Sequence, residues 1–216
     1  MTEQNFETMR RAMVESQLRT TGVNDPRVVA AMAMVPRERF VPAEWQALAY
    51  MDRPVPLGSG RELNLPEATG ALLTAAAIRP SDKVLIVGAA TGYTAAVVAD
   101  IALQVTALEE NEALIDQGRA ALAGTGVQLA QGPLAEGWSA GAPYDLIIVD
   151  GLVEQVPDAL IEQLADGGRL ACALLDRGAS RLAIGRKSGA GFGLDLFADC
   201  DASPLPGFAK PKTFVF

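Results

Sequence analysis

Histidine is absent from the 216 residues. That excludes Ser-His triads, Cys-His pairs and most zinc sites, all of which need imidazole as base or ligand. Cysteine is nearly absent. Cys172 and Cys200 are too few for a disulfide framework, and Cys172 sits in the apolar run Leu170–Leu175, where it reads as a small buried hydrophobe. Aromatics make up only 6% of the chain, and no apolar run approaches the 18 residues of a membrane span. Met1 leads into Thr2–Asn5 rather than into a basic segment and an apolar stretch, so no signal peptide is expected and a cytoplasmic location fits best. Basic residues are in deficit: 18 Lys and Arg against 26 Asp and Glu give a net charge of −8 and a pI near 4.6. An acidic surface repels phosphate backbones, so neither nucleic acid nor an anionic membrane is an expected partner.

What remains is rich in apolar residues, at 50% of the chain, enough to build a core and to exclude a disordered chain. The length suits one domain. Phe6, Met9, Met13 and Leu18 recur at helical intervals, with Gly22 placed to end that helix. Asn24 or Asp25 caps a second helix with Pro26 in its first turn, Val28, Val29, Met32 and Val35 on its inner face and Pro36 as its stop. Residues 37–60 carry several prolines and read as short helix and loop, held down by Trp45 and Tyr50.

The pattern then changes. Lys83–Gly88, Gln104–Glu109, Val127–Ala130, Tyr144–Asp150 and Gly168–Leu175 are apolar runs of strand length, and helical patterns over 91–101, 111–123 and 153–164 alternate with them. Apolar strands alternating with helices predict a parallel sheet covered on both faces. Residues 181–187 and 192–197 flank a Gly-rich turn and read as a hairpin, with 212–216 as a candidate edge strand. The expected architecture is a three-layer α/β/α, doubly wound, mostly parallel sheet with an N-terminal helical cover over 1–60, a core over 61–175 and C-terminal strands over 176–216.

In such a fold ligands sit beyond the carboxyl ends of the strands. Gly88-Ala89-Ala90-Thr91-Gly92 follows the first core strand and opens a helix. Glu109 ends the second strand 21 residues after Gly88, a position suited to accepting hydrogen bonds from both hydroxyls of a ribose. Glu110 takes that role if the register slips by one. A dinucleotide fingerprint needs three glycines. Here Ala90 and Tyr93 stand at the second and third glycine positions, which favours a nucleoside without pyrophosphate, such as S-adenosylmethionine, or an ordinary strand–helix turn.

These residues resemble the protein-L-isoaspartate O-methyltransferase family. The segments carrying the resemblance are Met13–Arg19, Asp25–Met32, Val35–Pro42, Ala49–Pro54, Asp82–Leu85 with the glycine loop, Ala142–Val149, Val156-Pro157 and Asp166–Leu170, in that order. The resemblance implies a Rossmann-like methyltransferase fold and S-adenosylmethionine as cofactor. The implied reaction methylates the misplaced carboxylate of isoaspartyl residues in damaged proteins, whose ester collapses to a succinimide that reopens partly to aspartate. A carboxylate acceptor, with a pKa of about 4, is ionised at neutral pH and needs no base, so the missing histidine is no obstacle. The implied cofactor-binding residues are Gly88, Ala89, Ala90, Thr91, Gly92, Glu109, Gly132, Pro133, Leu134 and Asp150. The implied substrate loop is Leu63, Asn64, Leu65 and Pro66, with Asn64 at the catalytic position. No metal is expected. The partner is a protein or peptide bearing isoaspartate, and the chain is expected to be a monomer or weak dimer.

The chain departs from the family at polar positions. Glu62-Leu-Asn-Leu-Pro66 stands where the family has T-I-S-Q-P, Ile86 replaces an acid, and Gly132-Pro-Leu134 replaces G-D-G, losing both a carboxylate and an N–H at Pro133. Asp150 stands where the family usually has no acid; it either caps the amides of the following loop or touches ligand. Trp138 reads as packing, and Lys210 and Lys212 as a solvated rim. Three readings stay open: an active isoaspartyl methyltransferase, a methyltransferase with a changed acceptor, and a noncatalytic member that binds a partner.

Overall fold

A computed structural model of the chain describes residues 5–210. The expected strand at 212–216 lies outside them. The N-terminal cover follows its sequence signals. Helix α1 (Phe6–Met13) is capped by Asn5, whose side chain accepts from Thr8 N–H. It widens into a π-helical stretch (Val14–Leu18), tightens to a 3₁₀ turn (Arg19–Thr21) and ends at Gly22, with φ 88° in the left-handed region. Asp25 caps α2 (Pro26–Met34), with proline in the first turn where its missing N–H has no cost. Of the expected inner face, Val28 and Met32 are buried together with Ala31, while Val29 and Val35 are half-buried. Two short 3₁₀ turns occupy 37–40 and 43–48, and Tyr50 is buried beneath them.

Short helix and loop are expected over 37–60; the end of that stretch instead forms a strand that pairs with the residues just after it. Strands β1 (Val55–Gly58) and β2 (Arg61–Leu63) form a small antiparallel hairpin. Its turn residues Ser59 and Gly60 both take positive φ, the geometry that matches strand twist in a tight hairpin. The helix that follows, α3 (Pro66–Ala76), is not among the elements the sequence patterns predict. Pro66 opens it, and Leu72, Leu73 and Ala76 turn its inner face to the core.

The central sheet has seven strands: β3 (Lys83–Val87), β4 (Gln104–Glu109), β5 (Gln128–Gln131), β6 (Tyr144–Val153), β7 (Leu164–Asp176), β8 (Ala179–Ser188) and β9 (Gly191–Asp199). Their order is β5-β4-β3-β6-β7-β8-β9. Strands β3 to β7 pair in parallel, and β8 and β9 add the expected hairpin as antiparallel neighbours. Chain order reverses between β3 and β6, which makes their carboxyl ends the switch point of the sheet. The apolar strand residues divide between two core clusters, one per face: Val84 and Ile86 join the first, Leu85 and Val87 the second, as alternation along a strand requires. Cys172 is fully buried.

The connecting helices are shorter than their periodicity suggested. Helix α4 (Tyr93–Ala99) begins after Gly92, whose φ of 94° prevents an earlier start. Asn111 is the cap of α5 (Glu112–Ala121) rather than its first residue. The expected helix over 153–164 is corrected to a single short turn, α6 (Asp158–Glu162). Strand β6 runs on to Val153, and Pro157 precludes a helix upstream of it.

A buried ion pair locks the amino end of the sheet. Arg169 on β7 donates to Asp82 at 2.5 Å and to the carbonyls of Ala76 and Ala77 at the end of α3. Among the described residues no helix is long and apolar enough to cross a membrane.

Candidate functional site

The glycine loop lies beyond β3, as the sequence indicated. Gly88 has φ 77° and Ala90 φ 49°, so the chain turns sharply before α4. The loop is held from below: Gly88 N–H and Ala89 N–H both donate to Leu108 O at 3.0 Å. Helix α5 packs directly on this loop, and a Cβ on Gly118 would stand 2.3 Å from Thr91 O.

Glu109 ends β4 and is 1% exposed, whereas Glu110 is exposed; the buried acid is therefore Glu109. One carboxylate oxygen accepts from Ala90 N–H at 2.8 Å, and the other accepts from Glu110 and Asn111 N–H at 3.0 and 3.1 Å. Its remaining capacity goes to a residue that the sequence reading did not single out. Arg61 Nη1 lies 2.8 and 3.0 Å from the two oxygens, and Arg61 Nη2 donates to Gly88 O at 3.0 Å. A carboxylate buried this deeply requires a cation or a full set of donors; that requirement was the available signal, though nothing local to Arg61 identified it as the partner.

The space beside the loop is also taken. The segment after β9 returns across the carboxyl edge of the sheet. Leu152 N–H donates to Ser203 O at 2.8 Å and Leu205 N–H to Leu152 O at 2.9 Å, extending β6 by a short parallel bridge. Leu205 thereby rests on the switch point. A Cβ on Gly88 would meet its methyls at 2.9 and 3.0 Å, and one on Gly151 would meet its Cγ at 2.6 Å. Phe208 is buried in the same apolar cluster as Leu134 and Leu205. Residues 88–92 are all buried.

Of the other expected site residues, Asn64 and Asp150 meet. Asn64 Nδ2 donates to Asp150 Oδ1 at 3.0 Å, and Asn64 Oδ1 accepts from Ser203 N–H at 3.0 Å. Asn64 thus joins β6, the loop at 63–66 and the returning segment. The backbone carbonyl of Asn64 is held by Arg37, fully buried and stacked 4.7 Å from the ring of Tyr93. Burial pushes the Asp150 pKa up, and the Asn64 amide with the nearby Arg61 and Arg37 guanidinium groups opposes that rise. Leu63 and Pro66 are buried; Leu65 is half-buried and faces a cavity of about 570 Å³ with Asp52, Glu67, Asp199 and Asp201 on its walls. Gly132 N–H donates to Glu109 O at 3.2 Å, Pro133 is exposed and Leu134 is buried. Lys210 is exposed, as expected of a rim, while Trp138 is half-buried against the second core cluster.

An adenosyl group is matched here by residue type, a strand-end carboxylate above a glycine turn, but not by space. With Arg61 on both oxygens of Glu109 and Leu205 on Gly88, it does not fit this conformation. Among the described residues no group of His, Cys, Asp and Glu is placed to hold a metal.

Comparison with known proteins agrees with the fold and the motif order. The family model described as protein-L-isoaspartate(D-aspartate) O-methyltransferase matches residues 8–192. Protein-L-isoaspartate O-methyltransferase 1 of Rhodopseudomonas palustris (strain HaA2) is 43% identical over 182 residues, 82% of this chain and 74% of the relative. The protein-L-isoaspartate O-methyltransferase of Koribacter versatilis is 37% identical over 205 residues, 94% of this chain and 92% of that one. A Plasmodium falciparum beta-aspartate methyltransferase solved with S-adenosyl-L-homocysteine superposes with a TM-score of 0.77 over 93% of this chain and 97% of its own, at 17% identity, a likeness of fold. The seven-stranded sheet, the placement of the glycine loop and the match over most of the length lead to one assignment: the chain belongs to the protein-L-isoaspartate O-methyltransferase family.

Proposed function

We propose that this protein is an S-adenosylmethionine-dependent carboxyl O-methyltransferase acting on isoaspartyl residues of damaged proteins. The observation that carries this reading is the family match over residues 8–192, reinforced by relatives named for that activity at 37–43% identity. The composition supports it. An isoaspartyl carboxylate is ionised at neutral pH with a pKa of about 4, so the reaction requires no proton acceptor, and the chain contains no histidine. What the protein must supply is alignment of the acceptor and exclusion of water. The acceptor would approach over the Leu63–Pro66 loop, where Leu65 faces an open cavity and Asn64 is fixed from three sides.

The test is methyl transfer from radiolabelled S-adenosylmethionine to an isoaspartyl peptide, with the aspartyl peptide as control. Label in the isoaspartyl peptide alone supports the reading. Label in neither overturns it and favours a noncatalytic member that binds a partner protein. One observation speaks for that second reading: the hydrogen-bonding capacity of Glu109 is already met by Arg61 and three main-chain amides.

A further inference from the structure

We propose that Arg61 and the segment 200–210 are the resident occupants of the adenosyl cleft, and that a cofactor enters only by displacing both together. The proposal rests on the methyltransferase reading above.

Three observations support it. The first is electrostatic. Arg61 covers the two oxygens that a ribose diol would use, and both partners of the pair are nearly inaccessible to water. Glu109 still keeps three amide donors without Arg61. A neutral diol can therefore replace the guanidinium without leaving the carboxylate bare, while Arg61 regains hydration at the surface. The exchange is chemically possible but opposed by the loss of a charge-assisted, two-point contact.

The second is steric. Leu205 occupies the switch point between Gly88 and Gly151, in contact range of both backbones. Its position follows from main-chain pairing with Leu152, and the segment is tied down again where Gln155 Nε2 donates to Ala209 O and Lys210 N–H to Glu154. These last contacts lie at the exposed edge, where water can replace them.

The third is mechanical. The two occupants share their anchors. Arg61 points into the cleft; the next residue, Glu62, accepts a hydrogen bond from the Ser203 hydroxyl, and Asn64 accepts from Ser203 N–H. The hairpin that carries Arg61 and the segment that carries Leu205 are thus joined through Ser203, so movement of either strains the other. Such coupling makes the closed cleft a two-state element rather than a set of independent side-chain rotamers.

The experiment is calorimetric titration of S-adenosyl-L-homocysteine into the full chain and into full-length Arg61→Ala and Leu205→Ala, with circular dichroism to establish that each is folded. Both variants are expected to bind at least tenfold more tightly than the parent chain. Leu205→Ala leaves the ion pair intact, so it carries the comparison if Arg61→Ala does not fold. Equal affinity in the parent and the variants would overturn the proposal while leaving the methyltransferase reading in place. No binding at millimolar ligand by folded variants would instead remove the cofactor reading, and the competition with it.

Discussion

At the scale of single residues, this molecule places charge where it must be answered. Asp82 and Arg169 form a buried pair whose guanidinium also closes the carbonyl end of α3. Removing one member of such a pair leaves the other charged and dry. Asp82→Ala is expected to cost about 3–5 kcal/mol, measured by urea denaturation at neutral pH. Asp150 is the opposite case, an acid whose burial raises its pKa. Its folded carboxyl keeps a proton to higher pH than the unfolded one, which titrates near 4. Between those two values the folded state binds more protons, so stability falls as pH rises through that window. Asp150→Asn is expected to flatten that slope in denaturation curves collected from pH 4 upward; an unchanged slope would contradict the raised value. The residue that the sequence concealed was Arg61. A guanidinium between a glycine and a glutamate looks like surface, and its partner lies 48 positions away. Glu109 was legible because strand, glycine loop and acid follow one another within a single βαβ unit.

At the scale of elements, legibility tracked locality. The parallel strands were readable because burial on both faces demands unbroken apolar runs, and β8 with β9 because a Gly-rich turn separates two strand-like stretches. The hairpin β1–β2 was hidden by Pro54 and Pro56, and its strands are only four and three residues long. Over 153–164 the apolar spacing suits a helix, but Leu152 and Val153 pair with β7 and only Asp158–Glu162 is helical. Helix α5 illustrates how packing overrules propensity. Gly118 is a poor helix former, and alanine there would gain about 1 kcal/mol in helix propensity. Its Cβ, however, would fall 2.3 Å from Thr91 O, against backbone that cannot swing aside. Gly118→Ala is therefore expected to lower stability by roughly 1–3 kcal/mol, read as a drop in the denaturation midpoint, and to disturb the loop at 88–92.

At the scale of the whole molecule, the net charge of −8 bears on what can approach. The cavity beside Leu65 has four acidic side chains on its walls, Asp52, Glu67, Asp199 and Asp201. On the methyltransferase reading, an isoaspartyl peptide flanked by lysines is expected to show a higher kcat/KM than one flanked by glutamates. The gap should narrow as salt is raised, since the Debye length contracts to about 8 Å at 0.15 M ionic strength. A preference insensitive to salt would mean that shape, not field, selects the peptide. None of this long-range arrangement could be read from the chain. The path of residues 200–210 over the sheet is set by contacts with Asn64, Gly88 and Leu152, and Ser203-Pro-Leu-Pro206 carries no local pattern that announces it.

The bare backbone at Gly151 has a consequence for how this protein could be altered. A single methyl there would stand 2.6 Å from Leu205 Cγ and 2.8 Å from Ser203 O. Gly151 is not among the residues held at positive φ, so alanine meets no objection from its own backbone. One carbon would act as a wedge, prising the tail off the sheet without substituting any charged residue, and through Ser203 it would pull on the hairpin that carries Arg61.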